Sequence, residues 1–203
     1  MPKTGLKPEE LQEKVLDAAE IEIRRNGVER LKLTDVARNL NLSHAALYKH
    51  FADKEALLDS ISKRWLDRID LALAEISAKT SPLEERILDW LMTLHMMKRE
   101  KVQSDPRIYT AFNNSAEKTR PFVKKHIQTM YIQLEAMVQE GIQKGLFFCN
   151  TPKEGARIIF EGTAAFHHPR MVFDNIEEDR IEFLRSVVGA LLSGLKSKRG
   201  RDM

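Results

Sequence analysis

Five polar side chains crowd onto one short predicted helix and the start of the next. They are His44, Tyr48, Lys49, His50 and Lys54. Histidine and tyrosine can form hydrogen bonds to base edges or phosphate oxygens, and lysine attracts phosphate through its charge. This chemistry suits the binding of a polyanion better than the breaking of a covalent bond.

The charges around this segment are unevenly distributed along the chain. Between Arg24 and Lys54 there are seven lysine or arginine residues against three acids, whereas residues 9–22 carry six acids. A basic patch is one footprint of a nucleic-acid-binding face. An ordinary solvated surface explains the same counts equally well, so charge alone does not decide the function.

Composition places the chain among soluble globular proteins. Its 203 residues are 42% hydrophobic and 31% charged, which is enough to bury a core in one large domain or two small ones. The single cysteine, Cys149, excludes an internal disulfide framework and suits a reducing compartment. The N-terminal segment does not resemble a signal peptide, and no apolar run reaches the roughly 18 residues of a membrane span. We therefore expect a cytoplasmic protein that does not enter a membrane.

Motifs for catalysis and metal binding are absent from the sequence. It contains no phosphate-binding loop, Gly-x-Ser-x-Gly or His-Glu-x-x-His pattern. Zinc sites combine spaced histidine and cysteine residues, whereas His95, His126, His167 and His168 accompany one cysteine. The sequence predicts neither an enzyme nor a metal site, and it implies no cofactor. It suggests no role for the segment His167-His168-Pro169.

Apolar residues recur at intervals of three and four, which is the spacing of helices rather than strands. After a first helix that ends at Gly27, short helices are expected behind Thr34 and Ser43. A longer helix is expected with Asp53 as its N-cap residue and apolar residues as far as Ile76. Five more are predicted at about 83–102, 105–116, 121–145, 152–167 and 177–196, with 168–176 as a connection. The fold class is therefore all-α, with about nine helices.

Residues 32–51 place two short helices on either side of a tight connection. Thr34 and Ser43 are suitable N-cap residues, and Asn41 tolerates the left-handed conformation of such a turn. Two short helices in this order predict a helix-turn-helix. On the second helix, Leu47 and Phe51 lie four residues apart and form one apolar side.

The opposite side of that second helix is suited to a DNA major groove. His44 stands at the helix start, where helix-turn-helix proteins place base-reading residues, and Ala45 and Ala46 keep the front of the helix narrow. Lys54 adds a cation beside the free N–H groups of the next helix. The predicted DNA-binding residues are Thr34, Ser43, His44, Ala45, Ala46, Tyr48, Lys49, His50 and Lys54.

This segment resembles the TetR family of transcriptional regulators (TetR/AcrR type). The resemblance covers residues 9–69, near a third of the chain, and Asn41 and Ala45 stand where that family usually has glycine. The residues that match the family's pattern are Thr34, Val36, Ala37, Ser43, Leu47, Tyr48, His50, Phe51, Lys54 and Leu57.

The resemblance implies a three-helix DNA-binding domain followed by a helical domain that dimerises and holds an effector pocket. On this interpretation residues 1–8 are a flexible tail, 9–69 bind DNA, and 70–203 bind the effector and a second chain. The expected function is repression of transcription from a pseudo-palindromic double-stranded DNA operator, with release by a small, largely apolar ligand.

The last two long helices are predicted to form the homodimer interface. Their apolar stripes are wide, and glycines beside them permit the close approach of another helix. The predicted interface residues are Ile159, Gly162, Phe166, Leu184, Val188, Leu191 and Leu195. The alternative is that both stripes belong to the core of one chain.

Large soft side chains in the middle helices predict the effector pocket. Methionine and aromatic residues line adaptable cavities, although each of them can equally fill an ordinary core. The predicted pocket residues are Trp65, Trp90, Met97, Tyr109, Phe112, His126, Met130 and Phe160.

Two other functions are compatible with the sequence. The chain can bind DNA in an architectural or activating role without an inducer, or it can bind a ligand while its helix-turn-helix is only structural. Gel shifts with and without cell extract separate the first from an inducible repressor, and operator footprinting excludes the second.

Overall fold

The computed structural model describes residues 7–110 and 120–197. In these ranges the chain forms eleven helices and no strand, so the predicted all-α class is confirmed. No helix in the same ranges is long and apolar enough to cross a membrane. The helices are α1 Pro8–Asn26, α2 Leu33–Asn39, α3 His44–Tyr48, α4 Lys54–Ser77, α5 Leu83–Ser104, α6 106–110, α7 Pro121–Gln143, α8 Pro152–Gly162, α9 Ala164–His167, α10 Pro169–Asp174 and α11 Ile181–Lys196.

The helix count exceeds the predicted nine because residues 152–174 are more broken than their sequence pattern indicated. The predicted helix 152–167 is interrupted at the buried Thr163, whose hydroxyl donates to the Ile159 carbonyl at 2.8 Å. Such back-bonding competes with the regular backbone ladder. The prediction of a connection at 168–176 was also wrong, because Pro169 starts α10 there.

Two of the three predicted helix caps are confirmed. The Ser43 hydroxyl accepts from Ala46 N at 3.2 Å, and Asp53 Oδ1 accepts from Ala56 N at 2.8 Å. The prediction for Thr34 was wrong, because α2 already begins at Leu33 and uses Lys32 as its N-cap residue. Thr34 therefore lies inside the first turn of α2.

The N-terminal unit comprises Met1–Trp65 together with Asp105–Arg120. Its core is built from α1, α2, α3, the first half of α4 and α6, and its members are almost fully excluded from solvent. Burying these side chains supplies the main driving force for folding the unit. They are Val15, Leu16, Ala19, Ile23, Leu31, Leu33, Val36, Ala37, Leu47, Phe51, Leu57, Ile61 and Ile108.

The C-terminal unit comprises Leu66–Ser104 and Pro121–Met203. Trp90 of α5 lies at its centre, fully buried, and its indole Nε1 donates to Gln133 Oε1 at 2.8 Å. That bond satisfies the one polar atom of the tryptophan ring. The Phe147 ring packs so closely against Gly141 that a Cβ atom at this position would lie 2.2 Å from the ring.

Candidate functional site

The helix α3 has one buried and one exposed side, as its sequence spacing predicts. Leu47 and Phe51 are each 1% exposed in the core of the N-terminal unit, whereas Tyr48 is 48% exposed. The rings of His44 and Tyr48 lie 5.7 Å apart, which is one helical turn, so both stand on the outward side. Core packing of one side thus fixes the direction of the other.

The turn before α3 determines where this outward side begins. Asn41 has a φ of +53°, the left-handed conformation that asparagine tolerates better than most residues. The Ser43 cap then fixes the first turn of α3 immediately before His44. A glycine at the turn is therefore not required for this geometry.

The nine predicted DNA-binding residues divide into an exposed and a partly buried group. Partial burial affects Thr34, Ala46 and Lys54, and the Lys54 ammonium donates to the Glu29 carbonyl at 3.1 Å. Lys54 thus ties two segments of the N-terminal unit together in addition to carrying a charge. The exposed residues are Ser43, His44, Ala45, Tyr48, Lys49 and His50.

The acidic residues of α1 have a structural partner within the N-terminal unit. Arg64 donates to Glu13 and Asp17 at 2.8 Å and to Glu20 at 2.7 Å. These contacts raise the pKa of Arg64 above its ordinary value, despite the burial that opposes the charged form. The acids next to the basic segment therefore join α1 to α4.

Arg38 of α2 is a further cation near this segment that was not among the predicted DNA-binding residues. Its side chain is 78% exposed.

The predicted pocket residues are divided between the two units. Trp65 and Tyr109 belong to the N-terminal unit, where their rings meet edge to face at 6.0 Å. Phe112 lies outside the described residues. The remaining predicted residues, all in the C-terminal unit, are Trp90, Met97, His126, Met130 and Phe160.

Around His126 the C-terminal unit contains a group of ionisable side chains in its interior, here named the buried polar cluster. It consists of Asp70 of α4, Lys98 of α5, His126 of α7 and His167 of α9. Lys98, His126 and His167 are 3%, 4% and 7% exposed. His126 Nδ1 lies 2.6 Å from Asp70 Oδ1, and His167 Nε2 donates to the Phe160 carbonyl at 2.9 Å.

Burial shifts the protonation of every base in this cluster toward the neutral form. It lowers the pKa of Lys98 to about 8, against the opposing attraction of Asp70. It also lowers the pKa of His167 to about 3 and the pKa of His126 below its ordinary value. Lys98 carries a positive charge that lowers both histidine pKa values further. Perturbed groups of this kind are concentrated at functional sites.

Of this cluster, only His126 was among the residues predicted from the sequence to line a pocket. A signal for Lys98 did exist, because it lies four residues after Leu94 and four before Val102, on the buried side of α5. His167 now has a structural role, since its ring stacks on Phe160 with centroids 4.3 Å apart. Among the described residues, no group of histidine, cysteine and acidic side chains is arranged to hold a metal ion.

Most of the predicted dimer residues are buried within a single chain. Their apolar side chains fill the core of the C-terminal unit, so they are not presented to a second molecule. Gly162 is exposed and Leu191 is partly buried. The buried members are Ile159, Phe166, Leu184, Val188 and Leu195.

Two family models match the chain and together span most of it. Residues 15–61 match the bacterial regulatory proteins of the tetR family, and residues 84–188 match the tetracyclin repressor-like C-terminal domain. The first match contains the helix-turn-helix, and the second contains Lys98, His126 and His167 of the buried polar cluster.

Solved structures of bacterial regulators share this fold. A TetR-family transcriptional regulator from Pectobacterium atrosepticum is 22% identical, with 94% of this chain and 96% of that chain covered and a TM-score of 0.68. A TetR/AcrR-family regulator from Thermobifida fusca is 18% identical, with coverage of 93% and 100% and a TM-score of 0.68. The regulator FadR from Bacillus subtilis, solved in complex with stearoyl-CoA, is 18% identical, with coverage of 90% and 98% and a TM-score of 0.64. With both family models matched, the chain belongs to the TetR family of DNA-binding transcriptional regulators, which are not enzymes.

Proposed function

We propose that the protein is a homodimeric repressor that binds a pseudo-palindromic operator in the cytoplasm and is released by a small effector. The outward side of α3 carries this proposal. His44, Tyr48 and Lys49 are exposed there, while the buried side of the helix anchors it. A helix of this form enters a major groove with its N-terminal residues toward the base edges.

The proposed contacts divide into two kinds with different consequences. His44 is assigned to base edges, so His44→Ala changes the preferred sequence. Lys54 is assigned to phosphate, so Lys54→Ala weakens binding to all duplexes alike and lowers the salt slope by about one. Fluorescence anisotropy with an operator and a random duplex, over a range of salt concentrations, measures both. Equal losses for the two variants on both duplexes contradict this division.

A dimer is proposed because one helix-turn-helix makes too few contacts to select a site among many competitors. Because the predicted interface residues of α8 and α11 are buried in the chain's own core, only the outer sides of these two helices can contact a second chain. On α11 this side contains Phe183, which is 55% exposed, and Gly189 and Gly194, which have open space around them. Small residues there permit close packing of a second helix. Sedimentation showing a monomer at micromolar concentration contradicts this proposal.

Release by an effector is proposed for the C-terminal unit. FadR from Bacillus subtilis was solved with stearoyl-CoA bound, so the shared fold accommodates a ligand with a long apolar chain. A coupling free energy of about 1–3 kcal/mol between effector and operator lowers operator affinity roughly 5- to 150-fold. An operator complex that no effector weakens supports an architectural or activating role instead.

The experiment that tests this function is footprinting of the purified protein on genomic DNA, with and without cell extract. We expect protected sites with two related half-sites, and loss of protection when the extract supplies the effector. Absence of any protected site at low ionic strength contradicts DNA binding and favours a ligand-binding protein with a structural helix-turn-helix.

A further inference from the structure

One atom of the buried polar cluster has its hydrogen-bonding capacity unused. His126 Nε2 is buried and makes no hydrogen bond to any residue that the structure describes. Leaving such an atom without a partner costs roughly 1–3 kcal/mol. Its position in the interior of the C-terminal unit, where the charge of Lys98 also acts on the ring, therefore points to a ligand.

The hydrogen bond at the other ring nitrogen determines what this atom can do. The Asp70 carboxylate can only accept, so His126 Nδ1 carries a proton and donates to it over 2.6 Å. In the neutral ring, Nε2 is then a lone pair that can accept a proton. Once protonated, the same nitrogen becomes a donor, and Asp70 stabilises the resulting imidazolium.

The charges that face His126 come from three neighbouring helices. Asp67 and Asp70 of α4 favour its protonated form, and Lys98 of α5 opposes it. His167 of α9 is close enough for His126 to influence its charge. The uncharged neighbours are large and soft: Met130 is buried one turn beyond His126, and Phe160 stacks on His167.

We propose that this cluster binds the carboxyl group of an otherwise apolar effector, with Lys98 and His126 Nε2 both donating to the carboxylate oxygens. The inference rests on the proposed ligand-responsive function and names the chemical class of the ligand. Before binding, Lys98 and Asp70 carry opposite charges around the neutral His126. A carboxylate adds one negative charge that favours the imidazolium, so His126 takes up one proton from the solvent, because the acid is already ionised near pH 7.

Isothermal titration calorimetry on the full-length protein without DNA tests this proposal. The probes are butanoate, octanoate, dodecanoate and 3-phenylpropanoate, each beside its amide, in two buffers of different ionisation enthalpy at pH 6.5–7, where Lys98 with its pKa of about 8 stays charged. We expect at least one acid to bind with uptake of about one proton, an affinity that falls about tenfold per pH unit, and an amide that binds roughly tenfold or more weakly.

Two variants separate the contributions of the cluster. His126→Asn keeps an N–H donor for Asp70 but removes the basic nitrogen, so proton uptake is lost. Lys98→Met weakens binding of the acid roughly tenfold or more without affecting binding of the amide. The matched controls are His168→Asn and Lys125→Met, which make the same changes at exposed residues next in sequence to His167 and His126. Both should leave binding of the acid unchanged.

The proposal is overturned if no acid binds, if acid and amide bind equally, or if wild-type binding occurs without proton uptake. The last measurement needs no variant and is therefore independent of whether a substituted protein folds. Operator binding is measured separately. If the protein binds no operator, binding of the acid can still be measured. If no acid binds, operator binding is unaffected.

Discussion

The two units of the protein join their helices with polar side chains in different ways. In the N-terminal unit Arg64 pairs with Glu13 and Asp17, whose side chains are 58% and 65% exposed. In the C-terminal unit Asp70, whose side chain is 18% exposed, bonds to the buried His126 and attracts the buried Lys98. Water solvates the first two carboxylates, so their pairs with Arg64 cost little and contribute little, although the third partner, Glu20, is only 13% exposed. The arrangement around His126 requires desolvation of ionisable groups, which an ordinary helix contact does not need. The buried arrangement is therefore the better candidate for a function beyond stability.

The largest expected effect comes from breaking the buried arrangement. Asp70→Ala removes the acceptor of His126 Nδ1 and the charge that balances Lys98, so we expect the free energy of unfolding to fall by about 3 kcal/mol at pH 7. Urea denaturation measures this value. The double variant with Lys98→Met should recover part of the loss, because it also removes the unbalanced cation. Additive losses in the double variant contradict the coupling.

A smaller effect concerns pH. His167 has a folded-state pKa of about 3, below the ordinary value near 6.5 that it regains on unfolding. The unfolded chain therefore binds more protons below pH 6.5, and stability is lost as the pH falls through that range. We expect the titration of His167 alone to lower the free energy of unfolding by about 2 kcal/mol between pH 6.5 and pH 5. His167→Asn should flatten the pH dependence of the melting temperature. His50→Asn, which alters an exposed histidine of the N-terminal unit, should leave the dependence unchanged.

The smallest effect is expected at Arg64. Two of its three carboxylate partners, Glu13 and Asp17, are largely in contact with water, and only Glu20 is mostly buried. Arg64→Gln should therefore lower the free energy of unfolding by only about 1 kcal/mol. The wild-type protein should lose a similar amount in 1 M NaCl, where such pairs are screened. Arg157→Gln, which breaks a pair on the surface of α8, should have no measurable effect. A loss at Arg64 equal to that at Asp70 removes the contrast between the units.

The helix-turn-helix was predictable because local rules determine it. Leu47 and Phe51 are four residues apart, so a helical turn brings both to the core. The predicted helix reached Phe51 but α3 ends at Tyr48, and the bond from Phe51 N to the Leu47 carbonyl at 3.1 Å continues the turn beyond its end. Asn41 is one of the few residues suited to a left-handed turn. The Ser43 and Asp53 caps follow from side chains that bond to their own first turn. Even here Thr34 was misassigned, because α2 begins two residues earlier than predicted, with Leu33 buried and the Lys32 carbonyl accepting the first helical bonds.

Features that depend on distant packing were not predictable. Lys98 lies on the apolar side of α5, but a long lysine can reach water from such a position, and only the surrounding helices enclose it. Thr163 is compatible with a continuous helix until burial directs its hydroxyl to a carbonyl. Periodicity showed that Leu184 and Val188 are buried, but it cannot distinguish burial in the same chain from burial against a partner.

The outward side of α3 is tested most directly by selection of bound duplexes from a random double-stranded pool. The wild-type protein should enrich a pseudo-palindromic sequence, and the variant His44→Ala/Tyr48→Ala should not, while its circular dichroism and melting temperature stay within error of the wild type. Lys79→Ala, an exposed change outside the helix-turn-helix, serves as the control and should enrich the wild-type sequence. Equal enrichment by the double variant and the wild type, or no enrichment by either, contradicts the assignment of this side of α3 to DNA.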